Sequence, residues 1–282
     1  MKKFMSLALA AFAACTTFAL TSCNKEADNV KVMKDILLTE EEYAFAIAKE
    51  NDTLLTEVNA LLATWDADNS LDTLINSYFD GNATFTYTNK TATPEEDDFV
   101  MATNAAFPPF EYKKGSAFTG IDVEIAYNLA TAMNKDLFVY DMEFDSIISS
   151  VQNGESDIGM AGMTVNEKRM QLVNFATPYY ASAQVITVLE SDTTFDNCKT
   201  AADVEAILAT KGTDYVIGTQ NGTTGYMYSK GDADFGYDGF TNLTTKGYTT
   251  GALAMTDLKN KKLNAVILDL QPSLMIADSV NK

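Results

Sequence analysis

One arginine, Arg169, stands in a chain of 282 residues against nineteen lysines and 39 acids. A guanidinium is flat and permanently charged, and its donor fork matches the two oxygens of a carboxylate as a lysine ammonium does not. Thr164 puts a hydroxyl five residues ahead of it, in the run GMTVNEKR over 162–169. The two converge if the turn after a strand opens a short helix there. An acid, Asp269, follows the apolar run 265–268. It could equally cap a helix that starts at Pro272. The chain has no histidine, which excludes histidine triads, histidine zinc sites and imidazole proton shuttles. Asp232, Asp234 and Asp238, spaced by Gly231, Gly236 and Gly239, faintly suggest a calcium loop. The glycine at the sixth position and the terminal bidentate glutamate are missing, so a solvated acidic loop is expected. There is no P-loop, and no cofactor or metal is expected.

The elements that must position these residues read as two α/β units behind a leader. Lys2 and Lys3 precede an apolar stretch from Phe4 to Leu20, and Leu20, Thr21, Ser22 and Cys23 read as a lipobox. The stretch is shorter than the ~20 residues of a membrane span and ends in small residues. Residues 1–22 are therefore expected to be a lipoprotein signal peptide, with Cys23 the lipidated mature terminus. Two acyl signals or more suffice for stable anchoring. Removing the leader leaves 18 basic against 39 acidic residues, a net charge of −21. Such a field repels phosphate backbones and argues against a nucleic-acid partner. Cys198 then has no cysteine to pair with and is expected to be a plain loop or core residue.

Several pieces in fixed order carry a family resemblance. FVMATN at 99–104 reads as a first strand, FPPFEY at 107–112 as the turn after it, and TGIDVEIA at 119–126 as the opening of a helix. EFDSII at 143–148, GESDIGMAGM at 154–163, the Thr164–Arg169 block and Pro178 to Tyr180 follow. IGTQNGTT at 217–224 and NAVILD at 264–269 continue it. Together these resemble the polar amino-acid receptors of ABC transporters, the family 3 extracellular solute-binding proteins. The resemblance implies an α/β, two-lobed periplasmic-binding-protein type II fold with a hinge of two crossing segments.

Members of that family continue past the Asp269 region with a strand returning to the first lobe and two closing helices. Here the matching pieces stand at the other end. Val30 opens a strand, and the segment from Thr39 to Ala48 reads as a crossing strand. Leu54, Leu55, Val58, Leu61, Leu62 and Trp65 stripe one helix, and Leu71, Leu74, Ile75, Tyr78 and Phe79 stripe a second. Asn69 and Ser70 are its expected N-caps. A circular permutation is expected. Lobe 1 would span 43–183, made of a permuted segment (43–80), a linker (81–98) and the first half (99–183). Lobe 2 would span 184–282 plus a strand at 30–38. The alternatives are a separate helical stalk over 24–98 or the remnant of a tandem copy.

An α-amino acid is a zwitterion, so its receptor needs a cation, an anion and donors. By resemblance, Arg169 takes the carboxylate with the amides of Thr164 and Thr224, and Asp269 takes the ammonium with the Thr164 hydroxyl and the Gly162 carbonyl. Phe107 and Phe144 would sandwich the side chain. Gln220 would be a further wall residue. Asn104 stands where some relatives carry an acid for a cationic side chain, and its neutrality leans away from lysine or arginine. The implied protein is not an enzyme. It is a monomer, lipid-anchored at the extracytoplasmic face of the cell membrane, that closes on an amino acid and delivers it to an ABC permease. A sensing module, or a dehydratase-like enzyme on the same fold, would be the rivals, the second marked by an acid or lysine facing the cleft.

Overall fold

The computed structural model describes residues 28–282; the leader and Cys23 lie outside the described residues. Two five-stranded mixed sheets form two lobes. In the first, Phe99–Thr103 lies between Leu137–Asp141 and Ile158–Gly159, and Ala46–Ile47 joins the latter to Asn174–Phe175. Every residue of Phe99–Thr103 is buried, as expected of a strand covered on both faces by helices. In the second, Val30–Val32 pairs antiparallel with Gln184–Leu189, followed by Ala265–Asp269, Val216–Gln220 and Thr244–Tyr248.

The lobes are joined by two crossing strands. Glu41–Tyr43 and Tyr180–Ser182 pair antiparallel, Tyr43 opposite Tyr180 and Glu41 opposite Ser182. Both chains run on into the sheets, so the crossing is a hinge of two backbones.

Residues 30–80 lie inside both lobes. Helix Asp52–Ala67 starts at Asn51, whose side chain accepts the amide of Leu54, and it buries Leu54, Val58 and Leu62 at four-residue spacing. Helix Ser70–Phe79 buries Leu71, Ile75 and Tyr78. Both faces join the core of the first lobe beside Tyr43, Phe99, Met101 and Leu129. The expected capping differs at the second helix. Asn69 holds the N-cap position in a left-handed conformation and makes no side-chain cap bond. The Asp68 carboxylate accepts the Ser70 amide instead. The stretch 81–98 has no helix; Phe85 and Tyr87 pack on the first lobe, and Tyr87 bridges Phe118. Cys198 is half-buried against the core of the second lobe.

Candidate functional site

The site is built by chain turns at the carboxyl ends of strands, where open α/β sheets leave crevices. Ala106–Phe107 and Glu111–Lys114 form a hairpin with Phe107 opposite Glu111, so both side chains leave the same face. Asn166 caps the short helix Glu167–Leu172 by accepting the Arg169 amide. That turn folds Arg169 back over Thr164. On the facing lobe, helix Thr224–Lys230 follows Val216–Gln220, and Asp269 ends Ala265–Asp269.

All nine residues named from the sequence, Asn104, Phe107, Phe144, Gly162, Thr164, Arg169, Gln220, Thr224 and Asp269, line one cavity between the lobes. Glu111, Ala161 and Thr223 line it as well. The cavity is about 10 Å³, room for about one water. The walls hold one another. Arg169 donates Nη1 to the Thr164 carbonyl at 2.7 Å and Nη2 across the cleft to the Gly222 carbonyl at 3.0 Å. The Thr224 hydroxyl donates to that of Thr164 at 3.1 Å. Gln220 donates its amide to Asn104 Oδ1 at 3.0 Å. Gly162 needs its lack of a side chain: its φ is +50°, and a Cβ would meet the Phe107 ring at 2.8 Å.

Arg169 is 4% exposed. Its guanidinium carbon lies 5.3 Å from the Phe144 ring centre and 5.8 Å from that of Phe235, one ring from each lobe. Burial lowers its pKa to about 10, so it stays charged at neutral pH. Asp269 stands at the N-cap of Leu270–Asn281, a helix that starts two residues before Pro272, yet makes no capping bond. It accepts instead from the Tyr43 hydroxyl at 2.5 Å. Burial, then the nearby Glu41 charge, push it up to about 7.

Three acids at the site were not read from the sequence. Glu41 is buried and accepts from the hydroxyls of Thr164 and Thr39 and the amide of Gln184. The signal was period-two alternation with Tyr43 in the crossing strand, since Glu41–Tyr43 is buried, exposed, buried. Asp122 lies under the cavity and accepts from the Gly162 amide and the Tyr179 hydroxyl. Burial pushes it up to about 7. Glu111 is 0% exposed and shares a hydrogen bond with the Asp122 carboxyl; burial, then the Asp122 charge, push it well above the usual carboxylate range. The acidic loop is solvated as expected, with Asp234 and Asp238 exposed. Asp232 and Asp234 reach across the cleft mouth to Lys168 at 3.2 and 3.4 Å.

Two lobes on a two-strand hinge, with an arginine and an acid lining the crevice between them, define the class of two-lobed binding proteins. The comparisons place the chain within it. The family of bacterial extracellular solute-binding proteins, family 3, matches residues 99–271, and the chain belongs to that family. An arginine-binding extracellular protein of Bacillus subtilis strain 168 is 37% identical over 87 residues, 31% of this chain and 34% of its own length. ABC transporter arginine-binding protein 1 of Escherichia coli K12 is 30% identical over 167 residues, 59% of this chain and 60% of its own. The chain thus spans about 60% or less of the length of these curated relatives. The solved structure of an ancestral arginine-binding protein bound to arginine superposes with a TM-score of 0.55 at 26% identity, over 65% of this chain and 75% of its own. The fold is the two-lobed periplasmic-binding-protein type.

Proposed function

We propose that this chain captures an α-amino acid by cleft closure and presents it, from a lipid anchor at Cys23, to an ABC transporter permease. One observation carries the reading. Arg169 and Thr164 from the first lobe and Thr224 and Asp269 from the second line a single cavity. A zwitterion bridging them gains all its bonds only when the lobes are closed, so binding shifts the population toward that form. The Arg169 fork takes the α-carboxylate, together with free amides at the start of helix Thr224–Lys230, where the helix dipole favours an anion. Asp269 and the Thr164 hydroxyl take the ammonium, whose charge draws Asp269 back into its ionised form.

A cavity of about 10 Å³ admits an amino acid only after the lobes part. The ligand therefore exchanges bonds that already exist, such as Arg169 to Gly222 and Thr224 to Thr164. Hydrogen bonds to charged groups contribute roughly 1.5–3 kcal/mol each. Three or four of them, less the bonds exchanged and the cost of association, fit the ~8 kcal/mol of micromolar binding. The relatives named as arginine-binding support an amino-acid ligand.

The test is thermal unfolding of residues 24–282 against the twenty amino acids. A ligand at a hundredfold its dissociation constant adds about 2.7 kcal/mol, roughly 5–10 °C at this size. A shift with one or a few amino acids is expected. A folded protein that responds to none sinks the reading. Anchoring is checked separately by metabolic labelling with a fatty acid, expected to be lost in Cys23→Ala. Delivery is checked by uptake of the labelled ligand in cells lacking the protein.

A further inference from the structure

The polar network behind the cavity has a fixed direction. The hinge strand Glu41–Tyr43 runs beside residues 163–165, with Tyr43 opposite Thr164. The Ala44 amide donates to the Met163 carbonyl at 3.1 Å and the Val165 amide to the Glu42 carbonyl at 2.9 Å. That register sets the Glu41 carboxylate behind Thr164, outside the ring of residues that line the cavity. Glu41 is 6% exposed. Its Oε1 takes two donors, the Thr39 hydroxyl at 2.6 Å and the Gln184 side-chain amide at 2.9 Å. The Thr39 oxygen already accepts the Gln184 backbone amide at 2.8 Å, so its hydrogen is free for Glu41. The Gln184 side-chain amide lies between two acids, Glu41 and Asp269, which turns its nitrogen toward them. Oε2 of Glu41 takes the Thr164 hydroxyl at 2.5 Å.

A threonine hydroxyl has one hydrogen and two lone pairs. Thr164 gives its hydrogen to Glu41 and turns only lone pairs to the cleft, where one accepts from the Thr224 hydroxyl at 3.1 Å. Resting on the amino-acid reading above, we propose that Glu41 is a positioning residue: it holds Thr164 as an acceptor toward the cavity, and so makes the site select an α-ammonium over an α-hydroxyl. An ammonium brings three N–H donors to Asp269 and the Thr164 oxygen. A hydroxyl brings one donor and a keto oxygen none, and each leaves a buried acceptor unmet, which is costly. A Thr164 hydroxyl free to rotate would donate to such an oxygen and soften the choice. The Glu41 carboxylate prevents that rotation. It comes from outside the family-matched residues 99–271, so the N-terminal segment sets the polarity of the site as well as covering the lobe.

The same bonds link Thr164 on the first lobe to Gln184 on the second, so Glu41 also ties the hinge. A hinge tie acts equally on every ligand that closes the lobes. Polarity acts only on the group beside Thr164, and the two roles part there. Glu41→Gln keeps the shape and inverts the direction. Two donors face the Oε1 side, so the amide oxygen takes that place and the NH2 group faces Thr164. Thr164 then accepts from it, and its hydrogen turns into the cleft against the ammonium.

The experiment is calorimetric titration of the whole chain with the twenty amino acids. Each that binds is then paired with the L-2-hydroxy acid of the same side chain, such as L-argininic acid for L-arginine or L-leucic acid for L-leucine. The unsubstituted protein should bind the amino acid at least about 100-fold more tightly than its hydroxy acid. Glu41→Gln should weaken the amino acid about 10- to 100-fold and the hydroxy acid less than about threefold, so the gap closes by about tenfold or more. In a Thr164→Val background the same substitution should leave the ratio within about threefold, because the hydroxyl through which Glu41 acts is gone. Equal losses for both ligands reduce Glu41 to a hinge tie and overturn the assignment. A ratio that falls as far with Thr164→Val as without it overturns it in favour of the Glu41 charge acting directly on the ammonium. Both outcomes leave the amino-acid reading intact, whereas failure of all twenty amino acids to bind overturns both. Where Glu41→Gln does not fold, the unsubstituted protein decides by proton NMR with labelled threonine. The Thr164 hydroxyl hydrogen, identified by its loss in Thr164→Val, should stay downfield and slow to exchange with and without the amino acid. A hydroxyl hydrogen in fast exchange with water overturns the assignment.

Discussion

At the scale of single residues, the site turns on groups whose charge is held out of water. Arg169 donates to two backbone carbonyls, one on each lobe, between two aromatic rings. A lysine there keeps one charge but loses the fork and the stacking. Arg169→Lys should therefore weaken the ligand about 100-fold, some 2.7 kcal/mol, with a folded protein by circular dichroism. An affinity within threefold of the original would remove Arg169 from the carboxylate role. Asp122 and Asp269 set the pH dependence. Both are pushed by burial to about 7, above the ~3.9 of an unfolded aspartate. A raised acid stabilises the fold fully below its unfolded pKa, and that contribution is lost as pH rises through about 7. Each proton retained only by the folded state changes stability by about 1.4 kcal/mol per pH unit, roughly 3–5 °C here. Without ligand, the calorimetric midpoint should fall between about pH 4 and 7 and level off above 7, less steeply in Asp269→Asn. A flat profile would contradict the burial of these acids. Arg169 was legible because its motif is local and its residue type unique. Glu111 was not, since its place opposite Phe107 depends on a hairpin register that no short motif encodes.

Elements carry the contacts across the cleft, and here the magnitudes are smaller. The turn Ala233–Phe235 meets helix Glu167–Leu172 across the cleft mouth, with Lys168 between Asp232 and Asp234 and 5.2 Å from the Phe235 ring centre. The Lys168 side chain is 39% exposed, and exposed pairs contribute about 0–1 kcal/mol. Lys168→Met should thus weaken the ligand no more than about fivefold, and it should remove part of the salt dependence between 50 and 500 mM, measured by titration at each. A hundredfold loss would mean that Lys168 touches the ligand itself. Helix Asp52–Ala67 sits at the other extreme. Leu62 is 3% exposed in the first-lobe core, so Leu62→Ala should cost about 2–5 kcal/mol, roughly 5–15 °C in the unfolding midpoint. A shift below 2 °C would mean that this helix is not part of the lobe. The two helices were legible from their stripes. Their caps were less so: Asp68 rather than Asn69 takes the orphan amide, a choice made by backbone conformation that the run from Asp68 to Ser70 leaves open.

For the whole molecule, the connections differ from the order the resemblance implies while the layers do not. The strand returning to the first lobe and the two helices that close it are Ala46–Ile47, Asp52–Ala67 and Ser70–Phe79. They precede the family-matched region, residues 99–271, where relatives would place them after it. We read this as a circular permutation. The site is indifferent to it, because Arg169, Thr164, Thr224 and Asp269 all lie within the matched stretch, and only the hinge residues Glu41 and Tyr43 come from outside. Two local geometries make the rewiring testable. The Asn281 side chain both accepts from the Val30 amide and donates to the Val30 carbonyl, each at 2.9 Å, so the end of the last helix lies against the first strand. Glu95 and Glu96, in the 81–98 stretch, are exposed, and surface segments of this kind tolerate new termini. A rearranged chain running 97–282, then about four glycine and serine residues, then 29–94, should fold with the same ligand preference. Its affinity should lie within about threefold and its unfolding midpoint within about 5 °C, because no core contact or site residue changes and only a loop-closure term of about 1 kcal/mol differs. Deleting 28–80 should instead leave a chain that does not fold, since Ala46–Ile47 is the strand joining Ile158–Gly159 to Asn174–Phe175. A rearranged chain that fails to fold while the deletion binds ligand would show that residues 28–80 are an appendage and that the permutation reading is wrong.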